Sequence, residues 1–183
     1  MASAPTHIVA AAAIATGFYR PLVPRHLWLT AAALAVAPDL DVISFRFGIS
    51  YGDLLGHRGL THSLPVAAVL SGLLVLWRYR DGAGPLPARQ VWLFLFLVTA
   101  SHGILDAFTN GGLGVAFFAP FTGERFFFPV RPIEVSPLSV DRFLTGRGLA
   151  ILASEALWVW IPALVVGSAI LWYRRRRGSL RPG

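Results

Sequence analysis

The chain of 183 residues contains no cysteine, so disulfides, thiolate metal sites and cysteine nucleophiles are excluded, and any metal must be held by nitrogen and oxygen. It contains no lysine either: all 16 of its basic side chains are arginines. Charged residues make up only 14% of it and hydrophobic ones 55%, above the roughly 45–50% of a soluble domain. The charge that remains is unbalanced, at +7. Such a balance can indicate nucleic-acid binding. Here, however, Arg174–Arg177 follow an apolar run directly, which is the usual cytoplasmic anchor of a membrane segment. No nucleic-acid partner is expected. The expected partners are membrane lipids, whose anionic headgroups such a cluster attracts, and an amphiphilic substrate.

Gln90–Phe108 and Gly148–Tyr173 are apolar over the ~20 residues needed to cross ~30 Å of hydrocarbon. Leu60–Trp77 also spans if His62 and Ser63 are counted inside it. Ile8–Phe18 and Leu27–Ala37, the latter extended towards Val42, are short. Eleven residues rise only ~16 Å, so to span they must carry His7, Asp39 or Asp41 into the membrane or its outer interface. No basic residue precedes the first run, so it is expected to be a retained helix and not a signal peptide. The fold class is therefore all-α: a polytopic membrane bundle of about five hydrophobic helices in one membrane-embedded domain, residues 1–183.

Arg20 and Arg25, then Arg78, Arg80 and Arg89, then the basic tail 174–183 all fall on one side of such a bundle. That side is expected to be the cytoplasm, with the N-terminus outside. His7, Asp39, Asp41, His57, His62, His102 and Asp106 then gather at the opposite helix ends. Residues 109–147 form an extracytoplasmic interfacial loop. Its runs Val115–Phe121 and Phe126–Val130 are too short to span and are punctuated by Gly and Pro, so they read as an apolar cap.

Ionisable side chains within apolar helices are costly and point to function. His102 and Asp106 are spaced i, i+4 and share a helix face, which Asn110 extends if the helix continues. They can bind one divalent ion, or one can orient the other. His57 and His62 can reach one centre only if residues 57–60 are not helical. His62, opening a helix, is the better ligand, leaving His57 as an orienting group, base or acid. Asp39 and Asp41, in an extended turn after Pro38, can both approach one site or bridge two ions. His7 is the remaining ligand candidate. Arg58 is either an anion clamp with a planar fork or an interfacial arginine snorkelling to water. Ser63 is a substrate contact, not a nucleophile. His26 is structural. Glu155 is either a partner of the site or a packing residue. Glu124, Arg125, Asp141 and Arg142 should be solvated or mutually paired, while Arg131 and Glu134 could face a headgroup.

Thr6-His7, Pro38-Asp39-Leu40-Asp41, His57-Arg58-Gly59-Leu60-Thr61-His62-Ser63 and His102-Gly103-Ile104-Leu105-Asp106, in this order, resemble the bacterial inner-membrane metal-dependent hydrolases of the LexA-regulated, YdjM-like family. The likeness covers roughly residues 1–135. A weaker likeness to zinc-dependent phospholipase C rests on the Pro-Asp segment, an upstream histidine and the His-x-x-x-Asp helix. It lacks any histidine after His102 to match that family's later ligands. The resemblance implies a membrane-bound hydrolase. With the residues, it leads to one or two divalent ions, zinc first, held by His7, Asp39, Asp41, His62, His102 and Asp106. Water activated there would attack an amphiphilic phosphoester, Asp41 or Asp106 would take the proton, and Asp41, His57 and Arg58 would form the catalytic set. Lipid amides or esters are the alternative substrates, and a non-enzymatic metal-binding or transport protein is the rival.

Overall fold

Pro5 opens the first helix, where a missing N–H costs nothing; α1 runs over Ala4–Phe18 and so includes His7. A computed structural model describes residues 1–137, 140–143 and 147–177. Residues 178–183 of the basic tail, and 138, 139 and 144–146 of the expected outer loop, lie outside the described residues.

Helix α2, Arg25–Val36, passes without a break into 3₁₀ turns over Ala37–Phe47. Pro38 has no N–H for an α ladder, and tighter winding takes over. The extended turn expected around Pro38 is therefore corrected to a helical end. With about three residues per turn, Asp39 and Asp41 point in different directions and meet different partners. Helix α3 spans Leu64–Arg78 and is capped by Ser63, whose Oγ accepts from the Val66 N–H at 3.3 Å. The expected span from Leu60 is thus divided: Leu60–His62 is a separate 3₁₀ turn, and Ser63 is a buried cap and not a substrate contact.

Helix α4, Ala88–Ala107, lies at the centre, packed on α1, α2 and α3. Its most apolar stretch is 56% buried, against 17% for the C-terminal rod, which explains why α4 is apolar on every side. A short α5, Val140–Phe143, precedes that rod. The rod consists of α6, Arg147–Glu155, a π turn over Ala156–Trp160, and α7, Ile161–Arg176. Pro162 cannot donate to the Trp158 carbonyl, and the ladder widens just ahead of it.

Among the described residues, three helical stretches are long and apolar enough to cross a membrane: Arg25–Phe47, Ala88–Ala107 and Arg147–Arg176. Ala4–Phe18 and Leu64–Arg78 are shorter apolar helices. Among the described residues there is no strand. Isolated bridges Thr109–Ile133 and Val115–Phe126 hold the cap together. Leu27, Leu34, Phe94, Leu95 and Val98 fill the core, with Ala11, Ala31 and Ala35 letting backbones approach.

The start of α1, the end of α2, the start of α3 and the end of α4 meet at one end of the bundle. At the other end Arg174 donates to the carbonyls of Thr16, Gly17 and Tyr19, tying α7 to the last turn of α1. His26 lies at this second end, stacked on Tyr79, in the structural role expected of it.

Candidate metal centre

His102 sits on the inner face of α4, fully buried. Its Nδ1 faces the Ala35 carbonyl at 2.7 Å, so Nδ1 carries the hydrogen and Nε2 is left as a lone pair. That lone pair points at Nε2 of His62, 3.1 Å away. Gly103 permits the approach: a Cβ there would stand 2.7 Å from the His62 carbonyl. Asp39 Oδ1 lies 3.3 Å from His102 Nε2 and 3.7 Å from His62 Nε2. Asp106 Oδ2 is 3.6 Å from His62 Nε2.

One ligand atom from each of Asp39, His62, His102 and Asp106 falls within 4.8 Å of the other three. Zinc bonds of about 2.0–2.1 Å at tetrahedral angles separate neighbouring ligand atoms by roughly 3.3 Å. The distances of 3.1–3.7 Å bracket that value. Both carboxylate oxygens of Asp39 are buried without a hydrogen-bond partner. The donor set thus fits a divalent ion. Burial works against a charged His62, yet the carboxylates of Asp39, Asp41 and Asp106 around its ring outweigh burial and raise its pKa to about 9. The carboxylates that hold a proton there would equally hold a metal cation.

Asp41 does not join this group. Its Oδ1 accepts from His57 Nδ1 at 2.6 Å, and its Oδ2 accepts from the Thr61 hydroxyl at 2.7 Å and the Arg58 N–H at 3.2 Å. The same Oδ2 is 3.2 Å from His62 Nδ1, which aims the opposite nitrogen of that ring at Asp39. Asp41 therefore lies behind two imidazoles and outside the four-residue group, and its expected place as a ligand is met only in a second set. Asp41, His57 and His62 form a second set with metal-compatible spacing, but its members already bond to one another. His57 Nε2 is buried and has no partner.

His7 lies beside the four-residue group. Its ring stacks flat on His102, centroids 3.7 Å apart, with Nε2 3.7 Å from Asp106 Oδ1 and neither ring nitrogen hydrogen-bonded.

Arg58 neither snorkels nor stands ready as a clamp. It is fully buried and takes the left-handed φ of +61°, uncommon for a residue with a Cβ. Nε donates to Asp106 Oδ2 at 3.0 Å, Nη1 to the Gly111 carbonyl at 2.8 Å and Nη2 to Thr109 Oγ1 at 2.9 Å. Its fork is occupied by the protein.

Arg125, expected to be solvated or paired with another loop charge, has a role that the sequence did not show. It donates to the carbonyls of His57, Gly114, Tyr51 and Asp53, stapling the cap to the turn that carries His57. Thr61, bonded to Asp41, was also overlooked; its place between His57 and His62 was the available signal. Glu155 proves to be a clasp: its carboxylate accepts from the Ser3 N–H and from the Ser3 and Thr6 hydroxyls. It holds the first residues over the site, where the Ala2 N–H donates to Asp106 Oδ1 at 2.7 Å. Asn110 lies past the end of α4 and accepts from the Val135 N–H, serving the cap and not the centre. Arg131 lies over the Phe127 ring, and the Glu134 N–H donates to Ser154 Oγ at 3.0 Å.

The inner membrane protein YbcI of Escherichia coli (strain K12) is 40% identical over 172 residues, 93% of this chain and 97% of that protein. No solved structure matches the chain. The sequence model of the YdjM inner membrane proteins matches residues 1–178, across every helix that contributes to the centre. With apolar helices of spanning length and a buried Asp/His cluster between them, the chain belongs to the YdjM inner membrane protein family.

Proposed function

We propose that this protein is a metal-dependent hydrolase of the inner membrane that acts on an amphiphilic substrate, a phosphoester lipid first, at the extracytoplasmic interface. The observation that carries the reading is the pair of imidazole Nε2 atoms 3.1 Å apart with carboxylate oxygens beside them. A cation that displaced the His62 proton would meet two Nε2 lone pairs and two carboxylates facing one point. Asp39, His62, His102 and Asp106 would hold one divalent ion, zinc by the nitrogen and oxygen donors and their spacing. Such an ion would polarise the scissile group and supply a nucleophile from water near neutral pH.

His57 is the residue placed to move a proton. Asp41 fixes its Nδ1–H, so the buried, unpartnered Nε2 is the basic atom. A carboxylate behind an imidazole is an oriented acid–base pair. Arg58 holds Asp106 in position. Leu64, Ile104, Phe117, Phe118 and Phe126 line an open apolar groove of about 370 Å³, which has no ligand residue in its walls and would take the apolar part of the substrate.

His57→Gln is expected to retain the metal and to slow hydrolysis by roughly 10²–10⁴-fold, the usual contribution of such a group. The check is turnover of phospholipids and lipid esters or amides by metal-loaded protein in detergent. Full turnover in the variant removes His57 from the chemistry. No hydrolysis by loaded wild type replaces the enzyme with a membrane metal-binding protein.

The arginine-rich end should be cytoplasmic and the centre extracytoplasmic, from the charge asymmetry. Reporter fusions after residue 177 should be active only as cytoplasmic reporters; the opposite result inverts the topology and moves the site to the cytoplasmic face.

A further inference from the structure

The far end of the bundle has its own unfilled feature. A groove of about 390 Å³ runs between α1, α2 and α7, walled by Ala12, Ala15 and Leu171, with Tyr19, Trp28 and Arg175 at its mouth. A second cavity of about 220 Å³ shares Ala12, Ala15 and Trp28 with it and continues to Ile8 and Phe94. From Ile8 to Tyr19 the helix rises ~16 Å at ~1.5 Å per residue, about half of the ~30 Å hydrocarbon core. The groove is therefore one leaflet deep.

Its mouth is positive. Residues 4–36 and 161–177 contain no acidic side chain. Within Arg174–Arg177, Arg174 is committed to α1 carbonyls, Arg176 lies over Trp172 and Arg177 over Tyr173. Arg175 alone of the four lines the groove, exposed and without a polar or ring partner among the described residues. Aromatic rings at the mouth suit the headgroup level.

We propose that this groove binds an anionic phospholipid from the leaflet on the arginine side, one acyl chain along Ala12 and Ala15 and the phosphate on Arg175. Its phosphate end, at Arg175, lies at the opposite end of the bundle from the Asp/His cluster, and the binding is independent of any hydrolytic activity.

The test uses the full chain in neutral detergent, with lipid retention read by native mass spectrometry and stabilisation by thermal unfolding. Phosphatidylglycerol and phosphatidylcholine with the same acyl chains are compared. Wild type should retain phosphatidylglycerol about tenfold more tightly, roughly 1.4 kcal/mol. Arg175→Gln should remain folded and lose that preference. Ala12→Phe, which fills the groove, should lose retention of both lipids. Arg175→Gln with undiminished preference, or a folded Ala12→Phe that still retains lipid, overturns the proposal. Should Ala12→Phe fail to fold, dihexanoyl phosphatidylglycerol decides: retention as tight as that of the long-chain lipid rules out the groove, and weaker retention supports it. Equal stabilisation of wild type by inorganic phosphate alone assigns Arg175 to a free anion and also overturns the lipid.

Discussion

Purified protein is expected to carry stoichiometric divalent metal, and His102→Ala to lose it. The variant removes an Nε2 lone pair whose direction is set by the Nδ1 bond to the Ala35 carbonyl. Loss of an outer-shell partner typically lowers metal affinity about 10–100-fold, and loss of a direct donor should exceed that. Elemental analysis of the membrane-purified chain reads the result. Thermal unfolding reads it independently, because an ion bound only by the folded state stabilises by about 4 kcal/mol at a thousandfold excess over its dissociation constant. Chelation should lower the wild-type melting temperature and leave the variant unmoved. His26→Ala, whose ring stacks on Tyr79 at the other end of the bundle, controls for loss of an imidazole as such. Metal-free wild type, or equal metal in wild type and His102→Ala, would sink the centre.

The helices were legible because an apolar run has few other uses at this length, and the composition of the centre because His and Asp are expensive in such runs. The division of labour within the centre was not legible. Asp39 and Asp41 are two residues apart in the sequence, and only the 3₁₀ winding after Pro38 sends one to the Nε2 pair and the other to His57. His57 and His62 both qualified by spacing. The turn at 57–59 is non-helical, a condition the sequence could only pose, and with the 3₁₀ turn after it brings both onto Asp41 and leaves His62 Nε2 for the metal group. Arg125 carried no signal, because its partners are backbone carbonyls that any sequence would offer. Gly103 was visible within the motif, but its purpose depends on the His62 carbonyl, forty-one positions earlier in the chain, packing against it.

Arg58 is where the structure changes the expected experiment most. A substrate clamp would predict that Arg58→Lys keeps fold and metal and loses only turnover. The buried network predicts instead that fold, metal and turnover fail together. Lysine supplies one point charge for a fork that serves Asp106, Thr109 and Gly111 at once. Whichever partner it keeps, the others are left buried and unsatisfied, at about 1–3 kcal/mol for each neutral group. Arg58→Met goes further and strands the Asp106 carboxylate, at a cost of roughly 3–5 kcal/mol. The backbone of Arg58 receives the Ala116 N–H and donates to Asp41 Oδ2, so the cap should loosen with it. The expected order of melting temperature is wild type, then Arg58→Lys, then Arg58→Met, with metal content falling in the same order. An Arg58→Lys protein that melts and binds metal like wild type yet hydrolyses nothing would return Arg58 to the role of anion clamp. It would also mean that this side chain leaves Asp106 when substrate arrives.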